Sequence, residues 1–275
     1  MVEQYFRPDS LEQATFLYNE KVKEGKHPTY FAGGTEIITL SRWNQSPINV
    51  LIDIKRLPSC RLHQITEDFF VLGSAITLTE IVQENHFPLL TEITRGIADK
   101  TARNKITIGG NICGDIFYRE AVLPLLLTNS ALVLADHISM RTELIMDIFD
   151  QKLLLKEGEL FVQAFMENRY MNEPFYSVKI RQQWETGYPL ITAAAIKTNG
   201  ELRVAFSGLC SFPFRSLEME EILNNPSYNQ TEKIIRAKQY IPGRILNDVE
   251  GSSEYRLFVF GYIMENILAQ LGDER

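Results

Sequence analysis

Ala32-Gly33-Gly34-Thr35-Glu36-Ile37 and Thr107-Ile108-Gly109-Gly110-Asn111-Ile112 are the stretches whose reading decides the fold, and they lie about 75 residues apart. A glycine pair that ends a strand lets the backbone take positive φ and come close to a ligand. Consecutive N–H groups can then converge on phosphate oxygens. Thr35, Thr107 and Asn111 would add side-chain hydrogen bonds. Two such loops could bracket one pyrophosphate, so that an acidic chain binds an anion through local geometry. Either pair taken alone is equally what a tight turn requires, since glycine is the default turn residue. Neither fits G-x-G-x-x-G or G-x-x-x-x-G-K-[ST], which disfavours a Rossmann or P-loop nucleotide site.

Working outward, a helix is expected after Ser10, with Gln13 completing a capping box, Leu11, Ala14, Leu17 and Tyr18 on one face and Gly25 as its stop. Strands are expected at 30–32 and 49–54, and a hairpin from 62–65 and 69–73. Thr77 and Glu80 predict another helix start. A helical stretch is expected over 88–98, an apolar segment over 122–127 and a strand over 131–134. From about residue 172 the pattern becomes a meander, with strands at 177–182, 190–197 and 202–207. Asn199-Gly200 between the last two is a type I′ hairpin signal. Helices follow at 217–223 and 231–239, and a final one whose buried stripe is read as Leu257, Phe260, Met264, Ile267, Leu268 and Leu271. A sheet backed by helices is a complete two-layer unit, which sets a domain boundary near residue 170.

The chain has 275 residues, 45% hydrophobic and 23% charged, enough for a core that needs no disulfide or structural metal. With 28 Lys and Arg against 35 Asp and Glu the net charge is −7, so nucleic acid is not an expected partner. The most apolar region, Ala121 to Ala135, is broken by Pro124, Thr128, Asn129 and Ser130, so no membrane span is expected. The start MVEQYFRPDS lacks the basic and apolar regions of a secretory signal, and a cytoplasmic location is expected. Cys60, Cys113 and Cys210 are scattered and form no C-x-x-C pair. An iron–sulfur cluster takes about four close thiolates, so this chain cannot hold one alone.

The two glycine stretches together resemble the FAD-binding subunit of the molybdenum hydroxylases, the xanthine dehydrogenase and carbon monoxide dehydrogenase family. The similarity runs along nearly the whole chain. Phe6-Arg7-Pro8 through Ala14 is similar to the family's P-x-S-x-x-x-A opening, Leu51-Ile52-Asp53-Ile54 to its L-I-D-I strand, and Leu72-Gly73-Ser74-Ala75-Ile76-Thr77 to its I-G-A-x-V-T. Gly251-Ser252-Ser253-Glu254-Tyr255-Arg256 resembles the S-x-E-Y-R entry to the last helix.

The resemblance implies an α+β fold. Residues 1–169 would form a vanillyl-alcohol-oxidase-type FAD-binding domain of two α/β subdomains, about 1–56 and 57–169. Residues 170–275 would form a C-terminal domain with a three-stranded antiparallel sheet and helices. Carried over by position, the FAD contacts are Ala32, Gly33, Gly34, Thr35, Glu36 and Ile37, then Thr107, Gly109, Gly110 and Asn111. Ile97 and Ala98 fall where the family lines the isoalloxazine with apolar residues. Glu120 stands where the family has an Asp that meets ribose or adenine. Lys179 stands near the position of a lysine by the flavin pyrimidine ring, where a cation would stabilise the anionic reduced flavin; the other reading of Lys179 is a solvated lysine on a strand edge. The following segment, Arg181 to Thr186, would shape the NAD side. Of Lys100, Arg103 and Lys105, Arg103 is the candidate to steer the diphosphate. Cys113 departs from the family pattern and is read as a buried small hydrophobe, with a redox thiol as its alternative.

The function so implied is an oxidoreductase flavoprotein subunit that passes electrons from a partner iron–sulfur subunit to FAD and on to NAD or another acceptor. Substrate hydroxylation would belong to a molybdenum-cofactor subunit. The alternatives are a self-contained flavin oxidase or reductase of the same fold, and a flavin-free assembly scaffold.

Overall fold

Three sheets of three or more strands and one two-stranded hairpin organise the described residues, 2–42, 47–182 and 187–272, of the computed structural model. The first is parallel, with Val50–Asp53 between Gln4–Phe6 and Pro28–Phe31. All four residues of its central strand are buried, as expected where both faces are covered. Helix Leu11–Lys23 packs on it through Ala14 and Thr15. Ser10 caps this helix by accepting from the Gln13 N–H at 3.2 Å, but the Gln13 side chain reaches the Asp9 N–H rather than closing the box on Ser10.

The second sheet is antiparallel, in the order His63–Ile65, Phe69–Gly73, Leu160–Glu167, Ala131–Ala135, Met140–Leu144. The sequence reading found its hairpin and the strand beginning at Ala131. It missed the central strand Leu160–Glu167 and the edge strand Met140–Leu144. The third sheet, Phe175–Arg181, Pro189–Thr198, Glu201–Ser207 and Phe214–Arg215, is antiparallel and four-stranded, not three-stranded as expected. Its fourth strand has two residues, too few for any periodicity to announce it. Asn199 and Gly200 both take positive φ, 52° and 79°, as a type I′ turn requires.

Two compact units result: residues 1–84, 99–114 and 129–168 form one, and 85–98, 115–128 and 169–275 the other. The second therefore takes in two short helical segments from the first half of the sequence, Pro88–Arg95 and Leu123–Leu127. A single boundary near residue 170 does not express this. Leu123, Leu125, Leu126 and Leu127 are all buried, and their helix packs on the third sheet, which places it in the second unit. The last helix, Ser253–Leu271, buries Val259, Phe260, Ile263, Met264, Ile267, Leu268 and Leu271 against the third sheet. Each such side chain contributes about 1.5–3 kcal/mol on full burial. Leu257, expected on that stripe, is only half-buried, and Arg256 is fully buried, bonded to Asp248 and to the carbonyls of Leu190 and Gly208.

Thr77 and Glu80 form the expected capping pair, with Thr77 N–H donating to Glu80 Oε2 at 2.8 Å. Burial pushes the Glu80 carboxyl up, but hydrogen bonds from Arg61 and Thr77 together with the Arg61 charge outweigh it and hold the pKa at about 2. A carboxyl depressed in the folded state stabilises above its unfolded pKa, and that stability is lost as pH falls from 4.5 towards 2. Glu80→Gln should therefore unfold less steeply with acid over that interval, followed by circular dichroism. An unchanged acid limb would show that the Arg61 pair contributes nothing.

Candidate cofactor site

In the first glycine stretch the strand Pro28–Phe31 ends, the chain turns through Ala32-Gly33-Gly34, and helix Thr35–Arg42 begins. Both glycines are obligatory, for different reasons. Gly34 sits at φ +68°, and a Cβ there would overlap the Phe31 ring. At Gly33 a Cβ would overlap the carbonyl oxygen of Lys105, two residues before Thr107. The fold thus brings the two sequence motifs into backbone contact. Among the described residues no protein group accepts from the N–H groups of Gly33, Gly34 and Thr35. These lie at a helix start, where orphan donors and the helix dipole favour an anion.

The second stretch is built differently. Thr107 is the N-cap of helix Ile108–Cys113, and its Oγ1 accepts from the Gly110 N–H at 3.1 Å. Ile108 N–H donates to Ile76 O (2.9 Å), Gly109 N–H to Ser74 O (2.9 Å) and Asn111 N–H to Thr107 O (2.9 Å). These donors are engaged inside the protein, so the second loop does not offer the converging N–H groups read from the sequence. Thr107, 1% exposed, serves as a cap. Gly109 is packed, since a Cβ there would lie 2.7 Å from Ser74 Cβ. Gly110 is exposed, and a Cβ would meet only Thr107 Oγ1, at 3.0 Å. What the second loop presents is a bare surface.

Lys55, which follows the L-I-D-I strand, completes this region and escaped the sequence reading. Its Nζ lies 2.8 Å from Asp53, 3.3 Å from Ala32 O and 4.3 Å from the centre of the Phe31 ring. The Glu36 carboxylate lies against Gly114. Thr35 is exposed and Ile37 half-buried. Cys113, expected to be buried, is exposed: it ends a six-residue helix whose buried face is Ile108, Gly109 and Ile112.

Arg103, half-buried, ends the short helix Lys100–Arg103 of the first unit. The other expected residues belong to the second unit, and four of its side chains and one loop form a connected group. Helix Pro88–Arg95 ends at Gly96, Ile97 is buried, and Ala98 is exposed at φ +48°, a conformation rare outside glycine. Gly96 O accepts from Lys179 Nζ at 2.8 Å and from Arg181 at 2.6 Å, so two cations hold the carbonyl that precedes Ile97 and Ala98. Lys179 Nζ also donates to Glu120 Oε2 at 2.8 Å, and Thr192 Oγ1 donates to Glu120 Oε1. The Lys179 and Glu120 side chains are 12% and 5% exposed, so Lys179 is not a solvated lysine on the strand edge. Its charge is matched by the other expected site residue. Residues 183–186, the end of the segment expected on the NAD side, lie outside the described residues.

An aromatic pair in this unit also went unnoticed in the sequence. Tyr118 stacks on Tyr188 with ring centres 4.8 Å apart and 12° between planes. Burial, aided by the Asp248 and Glu250 charges, pushes the Tyr118 hydroxyl up to about 12. Tyr118 and Tyr188 are 70 residues apart in sequence, and no spacing rule joins them.

An open N-terminal donor set beside a side-chain-free glycine surface fits the class of proteins that hold an anionic group through the backbone. The chain belongs to the family described as FAD binding domain in molybdopterin dehydrogenase, whose model matches residues 1–165. FAD is its cofactor, and it is an FAD-binding oxidoreductase subunit of the molybdenum hydroxylase family. It is 24% identical to a xanthine dehydrogenase FAD-binding subunit of Escherichia coli O157:H7, over 97% of this chain and 94% of that one. It is 25% identical to a glyceraldehyde dehydrogenase medium chain of Sulfolobus acidocaldarius, over 92% of each. The fold is shared with a chain of the carbon monoxide dehydrogenase of Hydrogenophaga pseudoflava, with TM-score 0.87 and 20% identity over 98% of this chain and 97% of that one. No helix among the described residues is long and apolar enough to cross a membrane.

Proposed function

We propose that this chain is the flavin-bearing relay of a molybdenum hydroxylase, standing between an iron–sulfur subunit and NAD or another acceptor, with hydroxylation carried out by a molybdenum-cofactor subunit. The observation that carries the binding part of this reading is the set of open N–H groups at Gly33, Gly34 and Thr35, held against the entry to the second loop. These residues would hold the diphosphate, and Gly110 would let it approach the backbone. In the other unit, taken by itself, Lys179 and Arg181 on Gly96 O keep the Ile97-Ala98 turn in place. Glu120 and Lys179 form one buried ion pair, so any role of either residue would be exercised as a pair. Bound FAD supplies the electron-carrying chemistry, while the protein supplies position and electrostatics. The partner assignment draws support from relatives named as a medium chain and as a medium subunit. Three cysteines without cluster spacing also leave the iron–sulfur centres to another polypeptide.

The test uses the FAD-reconstituted chain with and without iron–sulfur and molybdenum subunits of a relative's complex. Alone, with its FAD first reduced by dithionite, it is expected to pass those electrons to an added dye acceptor, and in its oxidised form to leave aldehydes and N-heterocycles untouched. Substrate oxidation by the metal-free chain alone, at about 1 per second or faster, would replace this reading with a self-contained oxidase.

A further inference from the structure

The edge strand Met140–Leu144 carries a pattern that is complementary to itself. It pairs with Ala131–Ala135 on one side only. Ile145 N–H donates to Ser130 O and Asp136 N–H to Ser139 O, which fixes the phase of the ladder: Arg141 and Glu143 turn their backbone groups inward. The N–H groups of Met140, Thr142 and Leu144 therefore face away from the sheet, and none has a protein acceptor among the described residues. The side chains of the same three residues are exposed, Met140 at 65% and Leu144 at 48%, and Ile138 just before them is 81% exposed. A five-residue edge with no proline, no lysine and an apolar outer face is a template for another strand.

Its sequence selects which strand. In an antiparallel pairing about a two-fold axis at Thr142, the hydrogen-bonded pairs are Thr142 with Thr142 and Met140 with Leu144 of the other copy. The close, non-hydrogen-bonded pair is then Arg141 with Glu143 of the other copy, formed twice. Shifting the axis to residue 141 or 143 stacks Arg141 on Arg141 or Glu143 on Glu143, which repels. An axis at 140 or 144 runs off the strand. One register alone satisfies donors, apolar side chains and charges together. Glu143 is 40% exposed and has room to turn to a second arginine, while Arg141 stays anchored on Glu159 through bonds of 2.7 and 3.0 Å. We infer that the Met140–Leu144 edge is a homotypic docking surface, through which two copies of this chain join their five-stranded sheets by antiparallel pairing centred on Thr142.

Sedimentation equilibrium of the whole chain tests this, in reducing buffer so that exposed Cys113 cannot cross-link. A short strand interface implies dissociation on the order of tens of micromolar. The expected mass rises from 31.6 kDa towards twice that value across this range. Thr142→Pro removes an N–H that no internal bond uses, so the variant should keep the wild-type circular dichroism and sediment as a monomer, with association weakened at least tenfold. Glu143→Arg places like charges in the close pair and should weaken association as well. It decides the matter if the proline variant misfolds. A wild-type chain that stays monomeric overturns the inference, as does dimerisation unchanged in the folded variants. Amide protection at 140–144 that follows added iron–sulfur or molybdenum subunit rather than the concentration of this chain would also overturn it, assigning the edge to that partner.

Discussion

Gly110→Val is expected to abolish FAD retention while leaving the fold and its melting temperature close to wild type. The position is exposed, its φ is not in the left-handed region, and a Cβ there meets only Thr107 Oγ1 at 3.0 Å. Only the Thr107 hydroxyl has to give, by a few tenths of an ångström, so the main effect falls on whatever occupies the bare surface. Affinity should drop at least on the order of 100-fold, about 2.8 kcal/mol. Gly109→Ala is the contrast: its Cβ would lie 2.7 Å from Ser74 Cβ and 2.8 Å from Ser74 O, and it should lose cofactor because the fold gives way. Filtration of reconstituted protein with absorbance at the flavin bands, beside a melting curve, separates the two. Wild-type affinity in Gly110→Val would make the second glycine pair a turn and nothing more.

Lys179→Met should be among the most destabilising single changes in the second unit. It removes the cation beside a buried carboxylate and one of two donors on Gly96 O. Leaving Glu120 charged and unpaired costs about 3–5 kcal/mol, which for a chain of this size lowers the melting midpoint by roughly 10 °C. Lys179→Met with Glu120→Gln removes the stranded charge and should recover much of the loss. Equal melting of the single and double variants would show that the pair is not coupled.

The strand and glycine pair of the first loop were legible because each is a local rule, an apolar run and a need for positive φ, whereas the helix Thr35–Arg42 that follows them was not read. Motif order along the chain then identified the family. What the sequence did not show is where each hydrogen bond goes. The two glycine stretches read alike, yet one keeps its donors open and the other engages them with Ile76, Ser74 and Thr107. Lys179 and Glu120 read as separate contacts, yet the two groups, 59 positions apart along the chain, meet at 2.8 Å. The strand Leu160–Glu167 escaped because a short hairpin, Phe149–Asp150 with Lys152–Leu153, and the turn at Gly158 interrupt the pattern before it. Cys113 is exposed although residue type favours burial on average, because it stands at the C-terminal end of a six-residue helix, at the edge of the buried face made by Ile108, Gly109 and Ile112.

Titration calorimetry of the unliganded chain with FAD, and then with riboflavin, tests the central claim most directly, because the two share a ring system and only FAD carries the diphosphate. One FAD per chain is expected, with riboflavin binding weaker by at least on the order of 100-fold and ADP competing with FAD. Failure to bind FAD, or riboflavin binding as tightly as FAD, would contradict a site built on the open N–H groups of Gly33, Gly34 and Thr35.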